Sequence, residues 1–387
     1  MLRYRRTLFC RCSNLKKISL YIHIPFCERK CLYCDFLSFS APDEVRREYV
    51  SVLIRQIKSA ASQYKDRRVI SVFFGGGTPS VLPGTLICDI MDNIRNEFDV
   101  DKSAEISIEV NPGTAYDLDS YISAGINRLS IGLQSSVESE LKKLGRIHNV
   151  RDFETLYEQA LLKGFNNINV DLMSGIPGQT LSSYEGSLRY LVDDPFRPKP
   201  SHISAYSLSV EEGTPFSRMK LDLPDEDTER EMYKITSDIL SEKGYTHYEI
   251  SNYSLAGSEC EHNKVYWRRG DYLGLGLGAS SMVDNVRWKN TGSIEDYIKK
   301  DDFAPKQVGH LTIKDQMEEF MFLGLRMKEG VSIAGFREYF GVPFPPEYDQ
   351  VIDKYVSLGL LKKDKMCVML TQDGISVSNL IMSEFIF

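Results

Sequence analysis

No apolar run in this 387-residue chain approaches the roughly 18 to 20 residues that a bilayer-spanning helix needs, so a transmembrane reading is excluded. A basic surplus is also missing. The formal net charge of −7 argues against general nucleic-acid binding, which favours a basic surface or stripe. Nothing resembling a secretory signal precedes the cysteine-rich segment, which makes disulfides a poor expectation and the cytoplasm the default compartment. What is present is core-forming material. Hydrophobic residues at 42% suit a soluble globular protein with one large domain and a smaller one.

The first 17 residues, MLRYRRTLFCRCSNLKK, depart from the acidic balance, with six basic residues and no acidic one. The preferred reading is an upstream extension without function. An organelle-targeting peptide is the alternative, since such peptides are Arg-rich and poor in acids, and a reversible membrane-surface contact would use the same composition. The pair Cys10-x-Cys12 is too short a signal for a metal site.

Three cysteines spaced C-x3-C-x2-C, Cys27, Cys31 and Cys34 in HIPFCERKCLYCDF, carry the strongest signal. Zinc usually takes four ligands in paired groups, and no second pair follows. The remaining five of the 8 cysteines are scattered or lie outside this motif. An iron-sulfur cubane is normally held by four cysteines. Three leave one iron open to an exogenous group, by the logic that separates catalytic from closed metal sites.

From Ile18 to about Leu208, short β-rich runs alternate with helical periods, the pattern of βα units on a parallel sheet. Six strands are expected: ISLYIHI from Ile18, VISVFFG from Val69, EISIEV from Glu105, RLSIGLQ from Arg128, NINVDLM from Asn167 and HISAYSL from His202. A crossover helix spans Asp43 to Tyr64, and further helices fall near Leu82–Phe98, Leu118–Ala124, Glu138–Leu144, Phe153–Lys163 and Leu181–Val192. The fold class is therefore α/β, a partial TIM-like (β/α)6 barrel whose chemistry belongs in the loops after the strands. The triad follows strand one directly.

Beyond strand six, a helix from about Glu226 to Lys243 precedes HYEISNY, read as another strand. The passage YLGLGLGASS from Tyr272 lacks dinucleotide-fold context and reads as close backbone packing or an approach to a ligand. Thr312 to Lys328 is a strong amphipathic helix. A small helical domain then ends in a hairpin, KKDKMCVMLTQDGI, resembling a winged helix. The division expected is an extension at 1–17, a barrel core at 18–210, a barrel extension at 211–300 and a winged-helix-like domain at 301–387.

The triad, with YIHIPFC before it and YCDF after it, resembles the radical S-adenosylmethionine superfamily, which implies a 4Fe-4S cluster on Cys27, Cys31 and Cys34 with S-adenosylmethionine on its open iron. FFGGGTPS places Gly75, Gly76 and Gly77 where backbone must approach a ligand closely, with a tight turn as the bland alternative. The resemblance makes these glycines the contact for the methionyl amino group. Glu109 and Asn111 end strand three with groups suited to an ammonium or a ribose. Gln134 ends strand four, Arg146 follows it, and Asp171 sits on strand five. A carboxylate suits ribose hydroxyls and an arginine suits the cofactor carboxylate. Gln134, Arg146 and Asp171 resemble cofactor contacts of coproporphyrinogen dehydrogenase-like radical enzymes, as do Tyr21 and Ala205.

The motif H-N-x-x-Y-W at His262, Asn263, Tyr266 and Trp267, together with HISAYSLSVEEGTPF, is similar to the HemW heme-chaperone family over nearly the whole chain after residue 17. That resemblance implies heme as cargo, His262 as candidate iron ligand, and a heme-acceptor protein. Imidazole is a standard axial ligand and aromatic side chains pack on porphyrin faces; a histidine bonded within its own loop is the alternative. A membrane-associated acceptor and a homodimer are family expectations that no spacing here carries. One departure is visible: Gly278-Ala279-Ser280-Ser281 stands where Gly-Ala-His-Ser is expected. The competing function is anaerobic decarboxylation of coproporphyrinogen III, and a radical enzyme on another substrate is a third. Decarboxylases of this group carry C-x3-C-x2-C-x-C, whereas position 36 here is Phe36, which sides with the chaperone.

Overall fold

A computed structural model describes residues 15–305 and 307–387, so Cys10, Cys12 and most of the basic segment lie outside the described residues. Six parallel strands stand side by side in chain order: β1 (Lys16–Ile24), β2 (Arg67–Gly76), β3 (Asp99–Val110), β4 (Arg128–Gln134), β5 (Ile168–Ser174) and β6 (His202–Ser207). Helices α1 (Asp43–Gln63), α2 (Gly84–Glu97), α3 (Leu118–Ser123), α4 (Glu138–Lys143), α5 (Val150–Leu162) and α6 (Leu181–Val192) connect them. After α7 (Glu226–Glu242), β7 (Thr246–Glu249) and β8 (Asn252–Ser254) extend the sheet beyond β6. On the other side, beyond α8 (Glu261–Trp267), β9 (Tyr272–Leu275) runs parallel to β1, and β10 (Ser280–Val283), β11 (Val286–Lys289) and β12 (Val308–His310) follow antiparallel. The end strands β12 and β7 do not pair, so the barrel is partial, as expected.

Buried parallel strands usually read as continuous apolar runs. Here most alternate positions are polar or glycine, with Phe73 and Met173 as exceptions. Ladder pairing lines these positions up: Tyr21 with Phe73, Phe73 with Ser107, Ser107 with Arg128, and on the next row Glu109 with Ser130, Ser130 with Asn169, Asn169 with His202. The intervening Leu20, Ile22, Val72, Ile108, Leu129, Ile131 and Val170 join the main core with residues of α1, α2 and α5. One strand face therefore packs on the helices and the other lines a polar lumen.

Three expectations are corrected. HYEISNY is a hairpin rather than one strand: the chain turns at Ile250 and Ser251, closed by Ser251 N–H and Asn252 Nδ2 donating to the Glu249 carboxylate. The helix from Thr312 stops earlier. It is α10 (Ile313–Gly324), following α9 (Ile294–Ile298), because the next residues pair with that hairpin, Ile250 N–H donating to Arg326 O and Lys328 N–H to Tyr248 O. The final hairpin does not end the fold. Strand β13 (Val331–Ser332), α11 (Ile333–Phe340), α12 (Pro346–Ser357), β14 (Leu361–Lys363) and β15 (Cys367–Leu370) lead into α13 (Gln372–Ser376) and α14 (Ser378–Ser383). Phe336, Ile352, Val368 and Phe385 give these elements a second core. Among the described residues no helix is long and apolar enough to cross a membrane.

Candidate functional site

The loop after β1 is tied down at both ends. Cys27 N–H donates to Phe39 O, Phe39 N–H to Pro25 O, and Leu32 N–H to Leu144 O beyond β4, while Cys34 N–H closes a turn on Cys31 O. Cys27, Cys31 and Cys34 all carry free thiols and line one cavity of about 330 Å³. Burial raises the Cys34 pKa, and the sulfurs of Cys31 and Cys27 push it in the same direction. Three thiolates crowded together repel unless a cationic centre neutralises them. No group of His, Cys, Asp or Glu among the described residues forms a single-ion site. A cubane asks for something different, since each thiolate binds its own iron. The donor set, its location and the hydrogen bonds that hold the sulfurs fit such a cluster: Thr78 Oγ1 donates to Cys27 Sγ (3.5 Å) and Arg146 Nη1 to Cys31 Sγ (3.7 Å).

The expected cofactor residues fall into two groups. Gly76, Gly77, Glu109, Gln134, Arg146 and Asp171 line the cysteine cavity. Arg146 also donates to Asn111 Oδ1 and Gly132 O (both 2.7 Å), and Asn111 Nδ2 donates to Thr78 Oγ1 (2.7 Å), so one polar chain links strand ends β2, β3 and β4 to two cysteines. Gln134 holds a left-handed backbone, φ 72°, an uncommon conformation for a non-glycine residue, and accepts from Tyr206 Oη (2.8 Å). Burial and then the Asp171 charge push the Glu109 carboxyl up to about 8, although Gly76 N–H donates to it. Burial raises the Asp171 pKa as well, against the opposing hydrogen bond from Asn169.

Tyr21 lies to one side, on the walls of two neighbouring cavities of about 440 and 410 Å³. Gly75 packs beneath Tyr21, Phe73 and Glu109. Ala205 departs from the group: β6 alternates, so Ser204 and Tyr206 reach the lumen while the Ala205 methyl belongs to the core. Thr78, Tyr33, Ser130 and Tyr206 line the cysteine cavity without having been expected. The polar alternation of RLSIGLQ and HISAYSL is the signal that could have found Ser130 and Tyr206.

The glycines answer to the protein as much as to a ligand. A Cβ on Gly76 (φ +114°) would fall 2.4 Å from the His23 ring, and one on Gly77 would fall 2.6 Å from Phe26 O. The YLGLGLGASS passage resolves similarly into close packing, since a Cβ on Gly274 would sit 2.2 Å from Ser280 O.

Phe36, 61% exposed, lines all three cavities. The H-N-x-x-Y-W motif forms α8 rather than a loop, which sets His262 and Tyr266 on one face, four residues apart. His262 is 1% exposed, with Nδ1 at 2.9 Å from Ser71 Oγ and Nε2 at 2.9 Å from Tyr266 Oη. Because Ser71 Oγ donates onward to Ser19 Oγ, Nδ1 carries the proton and Nε2 accepts from Tyr266. Burial, then Arg128, lower the ring's pKa to about 3, so it is neutral, and its free lone pair is the one Tyr266 occupies. Ser280 lies in the 440 Å³ cavity with Tyr21, His23 and Lys289.

Residues 21–191 match the model of the radical SAM superfamily, and residues 311–377 match the HemN C-terminal domain. The chain is 34% identical over 381 residues to heme chaperone HemW of Lactococcus lactis, covering 96% of this chain and 98% of that protein. It belongs to the HemW family. The Bacillus subtilis member is 35% identical over 378 residues, covering 95% of this chain and 99% of its own. The fold also matches coproporphyrinogen III oxidase (HemN) from Escherichia coli, with TM-score 0.85 at 23% identity over 96% of this chain and 90% of that one. Membership of a radical SAM family implies a 4Fe-4S cluster and S-adenosylmethionine.

Proposed function

We propose that this HemW-family protein is a heme chaperone, which carries a 4Fe-4S cluster and S-adenosylmethionine, holds heme beside them and passes it to an acceptor protein. The observation that carries the reading is Phe36. At the position where the decarboxylases of this group carry a fourth cysteine, the chain puts an exposed phenyl ring at the junction of the cysteine cavity and two aromatic-walled cavities. Those cavities are of the size that small-molecule sites have.

Cys27, Cys31 and Cys34 would hold the cluster. When bound, the cluster and S-adenosylmethionine supply reductive radical chemistry. Glu109 and Asp171 would take the cofactor's ammonium and ribose hydroxyls, Arg146 its carboxylate, and Gly76 and Gly77 would let backbone approach it. Tyr21, Phe36, Tyr266 and Trp267 offer ring faces to a flat macrocycle. His262 would reach iron through Nε2 once the Tyr266 hydroxyl swings aside, its imidazole being already neutral and its Nδ1–H already anchored on Ser71.

The test is anaerobic. The full chain with reconstituted cluster should bind heme and leave coproporphyrinogen III unconverted. Efficient turnover of the porphyrinogen would overturn the chaperone reading in favour of the decarboxylase.

A further inference from the structure

The cluster and cofactor contacts leave one buried cation unused. Arg128, the first residue of β4, is 2% exposed and lines the 410 Å³ cavity. Among the described residues it makes no ion pair, and its Nε has no hydrogen-bond partner. A charged group removed from water is retained at a cost unless something pairs with it. Its electrostatic neighbours are Cys260, Glu105, Tyr248 and Asp171. Glu105 is already engaged, since its carboxylate accepts the N–H groups of Glu261 and His262 at the start of α8. Asp171 accepts from Asn169.

The same cavity holds a second guanidinium in a similar condition. Arg326 stacks over the Trp267 ring (4.2 Å to its centre), and its Nε also lacks a partner. It stands 3.9 Å from Glu249, a loose contact that leaves Glu249 Oε2 without a hydrogen bond. Burial biases the carboxyls on this wall, Glu109, Asp171 and Glu249, toward their neutral forms. Two fixed guanidiniums therefore face a space whose acids are partly silenced. Phe73, Tyr206, Tyr266 and Trp267 supply ring surface around them.

We infer that Arg128 and Arg326 bind the two carboxylate side chains of the porphyrin, Arg128 as the buried anchor and Arg326 toward the more open side. Guanidinium matches carboxylate in a planar, two-bond geometry. The inference rests on the heme reading above and adds to it the residues that orient the cargo. An arginine kept for a ligand also explains why a buried guanidinium makes no ion pair among the described residues and leaves its Nε without a hydrogen bond.

The experiment titrates cluster-loaded full chain with hemin and, separately, with hemin dimethyl ester, in which both carboxylates are capped. Arg128→Met and Arg326→Met are each expected to weaken hemin binding about 10- to 100-fold, the loss typical of a buried charge-assisted bond. Both should leave the affinity for the ester and for S-adenosylmethionine unchanged. The ligand-free Arg128→Met protein should keep the parental circular dichroism spectrum and cluster content, which separates loss of a ligand contact from loss of structure. Parental hemin affinity in Arg128→Met would overturn the inference while leaving the chaperone reading standing. Equal losses for hemin and ester, or a fall in S-adenosylmethionine affinity, would assign Arg128 to structure or to the cofactor and overturn it too. If the parent bound neither porphyrin, the chaperone reading itself would fail, and this inference with it.

Discussion

Replacing each of the three glycines after β2 by alanine separates three physical effects at adjacent positions. At Gly76 the backbone sits at φ +114°, which side-chain-bearing residues rarely adopt, and the new methyl would fall 2.4 Å from the His23 ring. That ring cannot step aside freely, since its nitrogens bond Tyr21 Oη (3.1 Å) and Leu37 O (3.0 Å). Backbone strain of about 1–2 kcal/mol and overpacking of about 1–3 kcal/mol together predict a loss of roughly 2–5 kcal/mol. At Gly75 the nearest atoms are side-chain ends of Phe73, Tyr21 and Glu109 at 3.0–3.2 Å, so about 1 kcal/mol is expected. At Gly77 the obstacle is backbone, Phe26 O at 2.6 Å and Ile24 O at 3.0 Å. That backbone leads directly into Cys27, so Gly77→Ala should lower the iron retained after reconstitution as well as stability. Urea unfolding of the apoproteins, followed by circular dichroism, together with iron content, reads all three. A Gly76→Ala protein within about 1 kcal/mol of the parent, or a Gly77→Ala protein with full iron, would refute the packing argument.

Serine in place of Cys27, Cys31 or Cys34 should abolish the broad iron-sulfur absorption and the bound iron, and full iron in all three variants would sink the cluster assignment. The Glu109 carboxyl titrates at about 8 when folded and near 4.3 when unfolded, so the folded state binds more protons between these values. Its contribution to apoprotein stability is complete below about pH 4 and is lost as pH rises through about 8; Glu109→Gln should flatten that part of the stability–pH curve, and an unchanged slope would contradict the burial argument. His262→Ala should weaken heme binding or shift the heme spectrum, whereas Tyr266→Phe, which frees Nε2, should preserve or strengthen it. An unchanged spectrum and affinity in His262→Ala would remove His262 as a ligand.

The six parallel strands were legible because each has a compact β-rich run bounded by turn residues, and their helices because apolar side chains recur at helical period. HYEISNY misled because its turn is made by side-chain bonds from Ser251 and Asn252 to Glu249, which periodicity does not report. The length of α10 misled for a related reason: the amphipathic pattern runs on past Gly324, but pairing with the hairpin takes the chain out of the helix. Of the expected cofactor residues, those at strand ends gather around the cysteine cavity, whereas Arg128 and Ser130, farther down the lumen, stand out by no short motif. Ala205 shows the converse, a residue placed on the right strand but on its core-facing side.

The chain's own order of residues determined the cysteine triad, the glycine turn and the family, because these depend on short spacings that survive without knowledge of the fold. The tertiary structure decided which strand face became lumen, how Phe36 came to border three cavities, why His262 is locked between Ser71 and Tyr266, and where Arg128 and Arg326 stand with their Nε groups unbonded. Those features join residues up to about two hundred positions apart through strand register and side-chain packing. Local period carries no record of such distances; only the closing of the sheet around its polar face brings them together.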